Sequence, residues 1–272
     1  MPFDFRTVKM LKRPITHDPR VPHFTKYLKT NLPGGLPLPP FEIDNTYGIT
    51  YPDYHNSGQG SIGDCVEAAV GNGVLTWSTL TKNPVELPYS AILDAYEVVG
   101  GYDPTNPLTD LGTDPLQLLS YWLNTGIGGN KCDGFAYIDP DRMQAEVATT
   151  MYGGFICCLN LPVSAQLQTF NGPWAVPSGG PVGEGAPGSW GGHCVFIVGY
   201  NVAKGIACTT WQGLQWMTWG FWKTYTNVNY VVTSDNWIGA NGLSPSNFDQ
   251  AALVADMQRL SQPYSPYETK GA

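Results

Sequence analysis

The chain has 272 residues, which is enough for one two-lobed unit with a real core. Hydrophobic residues make up 42% of it and charged residues only 13%, about half the usual share. The net charge is -8 and the 14 basic residues form no stripe, which excludes a nucleic-acid footprint. No run approaches the ~20 apolar residues of a membrane-spanning helix. In place of charge the sequence offers 32 Gly, 23 Pro, 15 Tyr and 9 Trp, a composition that folds through turns and aromatic packing.

The start of the chain reads as an extended arm over residues 1–47. Prolines at 14, 19, 22, 33, 37, 39 and 40 forbid long helices there, and Gly34-Gly35 adds freedom. Lys9, Lys12, Arg13, Arg20, Lys26 and Lys29 make it locally basic. It lacks the apolar core of a secretory signal, so the expected location is the cytoplasm or a virion. A Pro-rich arm orders only against something, either its own domain or the other chains of a homo- or hetero-oligomeric assembly.

Residues 48–245 read as one domain, with a helical half over 48–153 and a β half over 154–245. Helical spacing of Val66, Ala69, Val70, Val74 and Trp77 predicts a helix over 65–80. Asp64 and Glu67 suit a capping box at its start. Further helices are expected over 88–99, 114–124 and 140–152, opened by Pro88, Asp114-Pro115 and Asp139-Pro140. Phe155–Leu161 is an unbroken apolar run, and strands are expected there and over 193–200, 205–210 and 230–233. Residues 162–191 read as a long Gly/Pro/Ser-rich loop. Residues 246–272 read as a C-terminal helix and tail.

The six cysteines, at 65, 132, 157, 158, 194 and 208, show no C-x-x-C and no zinc spacing. Free thiols are the expectation, with no metal and no cofactor. Asp103, Asp110 and Asp114 lie among turn residues and match no calcium loop, so caps and turns are expected of them. Trp216, Trp219, Phe221, Trp222 and Tyr225 read as packing residues.

Two stretches carry chemistry. Gln59-Gly-Ser-Ile-Gly-Asp-Cys65 ends in a cysteine at the first turn of a helix, where the dipole favours a thiolate. Gly191-Gly192-His193 opens a strand with a histidine, far downstream. A thiol nucleophile needs a base within reach and donors for an oxyanion.

Together these segments, with Thr209-Thr210-Trp211 and the Trp/Gly-rich turn after it, resemble the papain-like cysteine peptidases. The resemblance covers residues 48–240. It implies an α+β, two-lobed papain-like fold, with a helical lobe followed by an antiparallel β lobe. It implies Cys65 as nucleophile, His193 as base, Gln59 in the oxyanion hole and Thr209 where the family has the Asn that orients the His. Trp211, Gly192 and Gly63 fall at binding positions. Val66 stands where the family usually has Trp, and Ile62 where many members have a disulfide cysteine. Two functions stay open: a cysteine hydrolase acting on protein or peptide substrates, and a structural component of a large assembly, such as a phage particle, with a weakened site. Thr209 and Asp64 favour the second, because a shorter orienter and a carboxylate beside the thiol both weaken catalysis.

Overall fold

The computed structural model describes residues 10, 13, 18–28, 38–52, 54, 62–211, 213–234, 253–255 and 257. Its helices are α1 (Cys65–Leu80), α2 (Tyr89–Ala95), α3 (Pro115–Asn124), α4 (Arg142–Tyr152) and α5 (Trp219–Tyr225). Its strands are β1 (Glu42–Asp44), β2 (Gly134–Ile138), β3 (Phe155–Leu161), β4 (Gly191–Asn201), β5 (Gly205–Thr210), β6 (Gly213–Met217) and β7 (Thr226–Thr233). The strands form one antiparallel sheet in the order β2-β7-β3-β4-β5-β6, and β1 adds to β4.

Local chemistry explains most boundaries. Asp114 accepts from the N–H of Leu116 and Pro115 opens α3, whose Leu116, Leu118, Leu119 and Trp122 are buried on one stripe. In α4 the cap is Asp141, which accepts from Gln144, and the helix stops at Gly153 in the left-handed conformation. The expected cap, Asp139, instead accepts from His23 and from the Gln144 side chain, so the helix starts later than its Asp-Pro signal suggests. Helix α2 runs on into a wide π turn, Tyr96–Gly100, before Gly101 ends it at φ 68°.

The sequence pattern does not foretell β1, β2, β6 or α5. Strand β2 lies within the segment read as helical, yet it pairs with β7 along its length. It is five residues long and flanked by loops, so periodicity has little to register. Helix α5 falls in the Trp-rich stretch that reads as a turn. Thr218 caps it, and Phe221, Trp222 and Tyr225 go into the core.

Helix α1 is the central element. It is buried on every side from Cys65 to Ser78 and packs on β3, β4 and β5. A Cβ at Gly73 would meet the Phe196 ring at 3.0 Å, so glycine there lets the helix approach β4 closely. Trp77 ties the two halves together. It stacks on Trp122 of α3 (6.3 Å), meets Phe196 of β4 edge-on (5.2 Å), and donates from Nε1 to the Tyr152 carbonyl of α4 (2.6 Å).

The described parts of the N-terminal arm lie on this same domain. The Tyr137 N–H donates to the Pro22 carbonyl, His23 bonds Asp139, and Phe24 and Tyr27 are buried. Among the described residues, no helix is long and apolar enough to cross a membrane.

Trp77→Ala should cost about 3–5 kcal/mol of unfolding free energy, because a filled interlobe joint becomes a cavity. Leu108→Ala, at a residue 84% exposed, should stay within about 0.5 kcal/mol. Denaturant melts of the two variants would check the contrast.

Candidate active site

Cys65 is the first residue of α1 and is 4% exposed. Its sulfur accepts from the backbone N–H of Cys194 on β4, the residue next to His193. Burial pushes the thiol well above its ordinary range. The neighbouring sulfur of Cys158 and the Glu67 and Asp64 carboxylates push the same way, while the Cys194 N–H opposes them. The helix itself supplies donors. Its first bond runs from Ala68 N–H to the Asp64 carbonyl, so the N–H groups of Cys65, Val66 and Glu67 precede the internal ladder.

His193 is the third residue of β4, opposite Leu159 of β3. Its ring is held on two sides. Nε2 meets the Thr210 hydroxyl at 2.7 Å, and the Trp211 indole lies flat on the ring, with centroids 4.5 Å apart and planes 6° from parallel.

The hydroxyl at His193 belongs to Thr210, not to Thr209 as the sequence pattern expects. Successive strand residues face opposite sides of a sheet. On β5, Thr209 stands opposite Phe196 of β4 and turns its hydroxyl to the Phe196 carbonyl (3.4 Å), so only Thr210 faces the imidazole. Counting from Trp211 hid this, because Trp211 adopts φ 39°, a left-handed conformation rare for a bulky residue. That twist at the β5–β6 hairpin lays the indole over His193. Trp190 and Trp174 brace it from behind, at 5.7 and 6.4 Å. Register of the hairpin, had it been known, would have pointed to Thr210.

Asp64 does not cap α1 through its side chain. Its φ and ψ of -87° and 23° depart from the extended conformation in which a cap residue reaches back to the helix N–H groups. Glu67 is likewise no capping-box partner. It turns into the protein, fully buried, and its Oε1 accepts from the Thr113 hydroxyl at 2.5 Å. Burial raises its pKa to about 8, against the Thr113 bond that lowers it.

Gly63 donates its N–H to Asp110 (2.9 Å), which also accepts from the Tyr96 hydroxyl (2.7 Å). That bond ties the loop before Cys65 to residue 110. Asp103 accepts from Thr105 and Asp114 caps α3, as turn and cap residues do. Gly192 sits in β4 opposite Asn160. Gln59 lies outside the described residues. All six cysteines are free, although Cys158 and Cys194, directly opposite on β3 and β4, bring their sulfurs to 2.9 Å.

The sequence matches no protein-family model and no curated protein. Solved structures do resemble the fold. Xylellain, a cysteine protease from Xylella fastidiosa, aligns with TM-score 0.63 and 15% identity over 84% of this chain and 96% of its own. The cysteine protease and lectin-like domains of Cwp84, a surface-layer-associated protein of Clostridium difficile, align with TM-score 0.54 and 12% identity over 84% of this chain and 57% of theirs. Procathepsin B S9 of Trypanosoma congolense gives TM-score 0.53 and 10% identity over 85% and 88%. At such identities the likeness is one of architecture. This chain has the papain-like, two-lobed α+β fold.

Thr210→Val should slow alkylation of the Cys65 thiol about tenfold by freeing the imidazole to turn, whereas Thr209→Val should change it little. Timed labelling of both variants reads this directly, and equal rates would return the role to Thr209. Glu67 gives a pH signature. Its folded-state pKa is above its ordinary 4.5, so the folded protein holds the proton more tightly. The stability tied to that proton is present below about pH 4.5, declines with rising pH, and is gone above about pH 8. A shift of that size is worth on the order of 5 kcal/mol. Glu67→Gln should therefore gain on the wild type as the pH is raised through this window, measured by denaturant unfolding; a constant difference would refute it.

Proposed function

We propose that this chain is a cysteine hydrolase that cleaves amide bonds of peptides or proteins through an acyl-thioenzyme. The observation that carries the reading is the His193 constellation. The imidazole is bonded at Nε2 to the Thr210 hydroxyl and covered by the flat Trp211 indole, which fixes the plane and orientation of the ring. The residue beside it on β4 touches the Cys65 sulfur through its backbone.

In this reading His193 Nδ1 takes the thiol proton of Cys65. The thiolate attacks the carbonyl carbon, and the electron pair moves to the carbonyl oxygen. The Cys65 N–H receives that oxyanion, and the sequence pattern assigns the side chain of Gln59 beside it. The imidazolium then hands its proton to the leaving nitrogen as the C–N bond breaks. Water, deprotonated by His193, attacks the thioester and restores the thiol. Burial of Cys65 makes an isolated thiolate costly, so the charged sulfur must form together with the imidazolium. Thr210 keeps the ring oriented, and Trp211 keeps water from the Thr210 bond.

One observation favours a second reading, a structural component with a silent site. Cys65 is buried, and its surroundings favour the neutral thiol. Alkylation by iodoacetamide at slightly acid pH separates the two. A working pair should make Cys65 react at least about tenfold faster than Cys132, and His193→Ala should remove the difference. Cys65→Ala should lower peptide hydrolysis about a thousandfold or more. Equal labelling of Cys65 and Cys132 would sink the hydrolase reading.

A further inference from the structure

Two further thiols, which the hydrolase reading does not use, lie at the strand that carries the base. Cys158 of β3 and Cys194 of β4 stand directly opposite each other in the antiparallel register. Directly opposite residues of such a pair have Cα atoms about 4.5–5.5 Å apart, inside the about 4.4–6.8 Å that a disulfide spans. Their side chains lie on the same face of the sheet, and the two sulfurs are 2.9 Å apart. Both are free thiols.

The other cysteines are placed differently. Cys157 adjoins Cys158 in the chain but faces the opposite side of β3, where its sulfur meets the Thr226 hydroxyl at 3.8 Å. The Cys208 sulfur meets the Gln215 carbonyl on β6 at 3.5 Å. The Cys65 sulfur takes the backbone N–H of Cys194. Register therefore selects Cys158 as the partner of the Cys194 thiol.

We propose that Cys158 and Cys194 are a redox pair, which closes to a disulfide on oxidation by a small hydroperoxide, braces the strand that carries His193, and reopens with a dithiol. This holds whether or not the chain is a hydrolase, because Cys65 takes no part in the bond. Cys158 is 0% and Cys194 2% exposed, so the oxidant has to be little larger than water. In the first step the Cys194 sulfur attacks one peroxide oxygen. The O–O bond breaks, the departing hydroxide takes the thiol proton and leaves as water, and Cys194 is left as a sulfenic acid. The Cys158 sulfur then attacks the Cys194 sulfur. The S–O bond breaks, and a second water leaves with the Cys158 proton. The two thiols have lost two electrons and the peroxide has gained them. Burial pushes the Cys194 thiol well above its ordinary range, so thiolate is scarce and the first step is slow. The second needs no search, since the partner sulfur is already in contact. The bond closes the 162–190 connection between β3 and β4 into a covalent ring, which narrows the unfolded ensemble.

The test uses the full-length protein, reduced and then freed of reductant. It is treated with hydrogen peroxide, alkylated in denaturant, digested with pepsin and read by mass spectrometry. Peptides holding Cys158 and Cys194 should be recovered joined, lighter by two hydrogens, and should separate with dithiothreitol. The joined protein should melt about 5–10 °C above the reduced one. Cys158→Ala and Cys194→Ala should each abolish the bridge, and Cys157→Ala should leave it. If an alanine variant does not fold, fragmentation of the joined wild-type peptides between residues 157 and 158 assigns the bond. A bridge from Cys194 to Cys65 or Cys157 would overturn the pair. So would the absence of any bridge in protein whose methionines the peroxide has already oxidised. A joined form that melts no higher would end its role as a brace.

Discussion

Everything at the site depends on how closely α1 lies against β4. The helix carries Cys65 at its first position, and the strand carries His193 and Cys194 near its start. Small residues make the approach possible, Gly73 over Phe196 above all. Trp77 then locks the distance, with its ring between Trp122 and Phe196 and its N–H on Tyr152. A joint of this kind has little slack, because dense packing leaves no room for a side chain to shift alone. Cys65 and His193 sit on two different elements, α1 and β4, and that joint sets their relation.

The same closeness has an electrostatic consequence. A helix buried on all sides cannot leave polar groups in water, so Cys65, Asp64 and Glu67 all lose solvation. Desolvation favours neutral thiol and neutral carboxyl, as the upward shifts of Cys65 and Glu67 record. Low overall charge sharpens this, since few cations are at hand to offset buried acids. Arg13, brought in by the N-terminal segment, is one that does.

The histidine shows how a departure from a familiar pattern can be absorbed. A threonine hydroxyl is shorter than an asparagine amide, so it must stand closer to the ring. Thr210 does so from the end of β5, and the left-handed turn at Trp211 places a flat ring over His193. Backbone strain at a bulky residue is kept only where surrounding packing fixes it, and here Trp190 and Trp174 do.

The sequence by itself determined the helices with strong periodicity or clear caps, namely α1 and α3, and the apolar strands β3, β4 and β5. It also marked Cys65 and His193 as the residues to watch, because a cysteine at a helix start and a histidine after paired glycines are local signals. What only the tertiary structure decided is whatever depends on register or on distant neighbours. Thr210 rather than Thr209 meets His193, because facing alternates along β5 and one residue reverses it. Asp64 and Glu67 read as a capping box from spacing alone, yet burial turned Glu67 to Thr113 instead. Strand β2 was invisible because its partner β7 lies almost a hundred residues away. The contacts of Met10 with Gly191 and of Arg13 with the Gly100 carbonyl were equally hidden, since no local pattern says where such residues will lie.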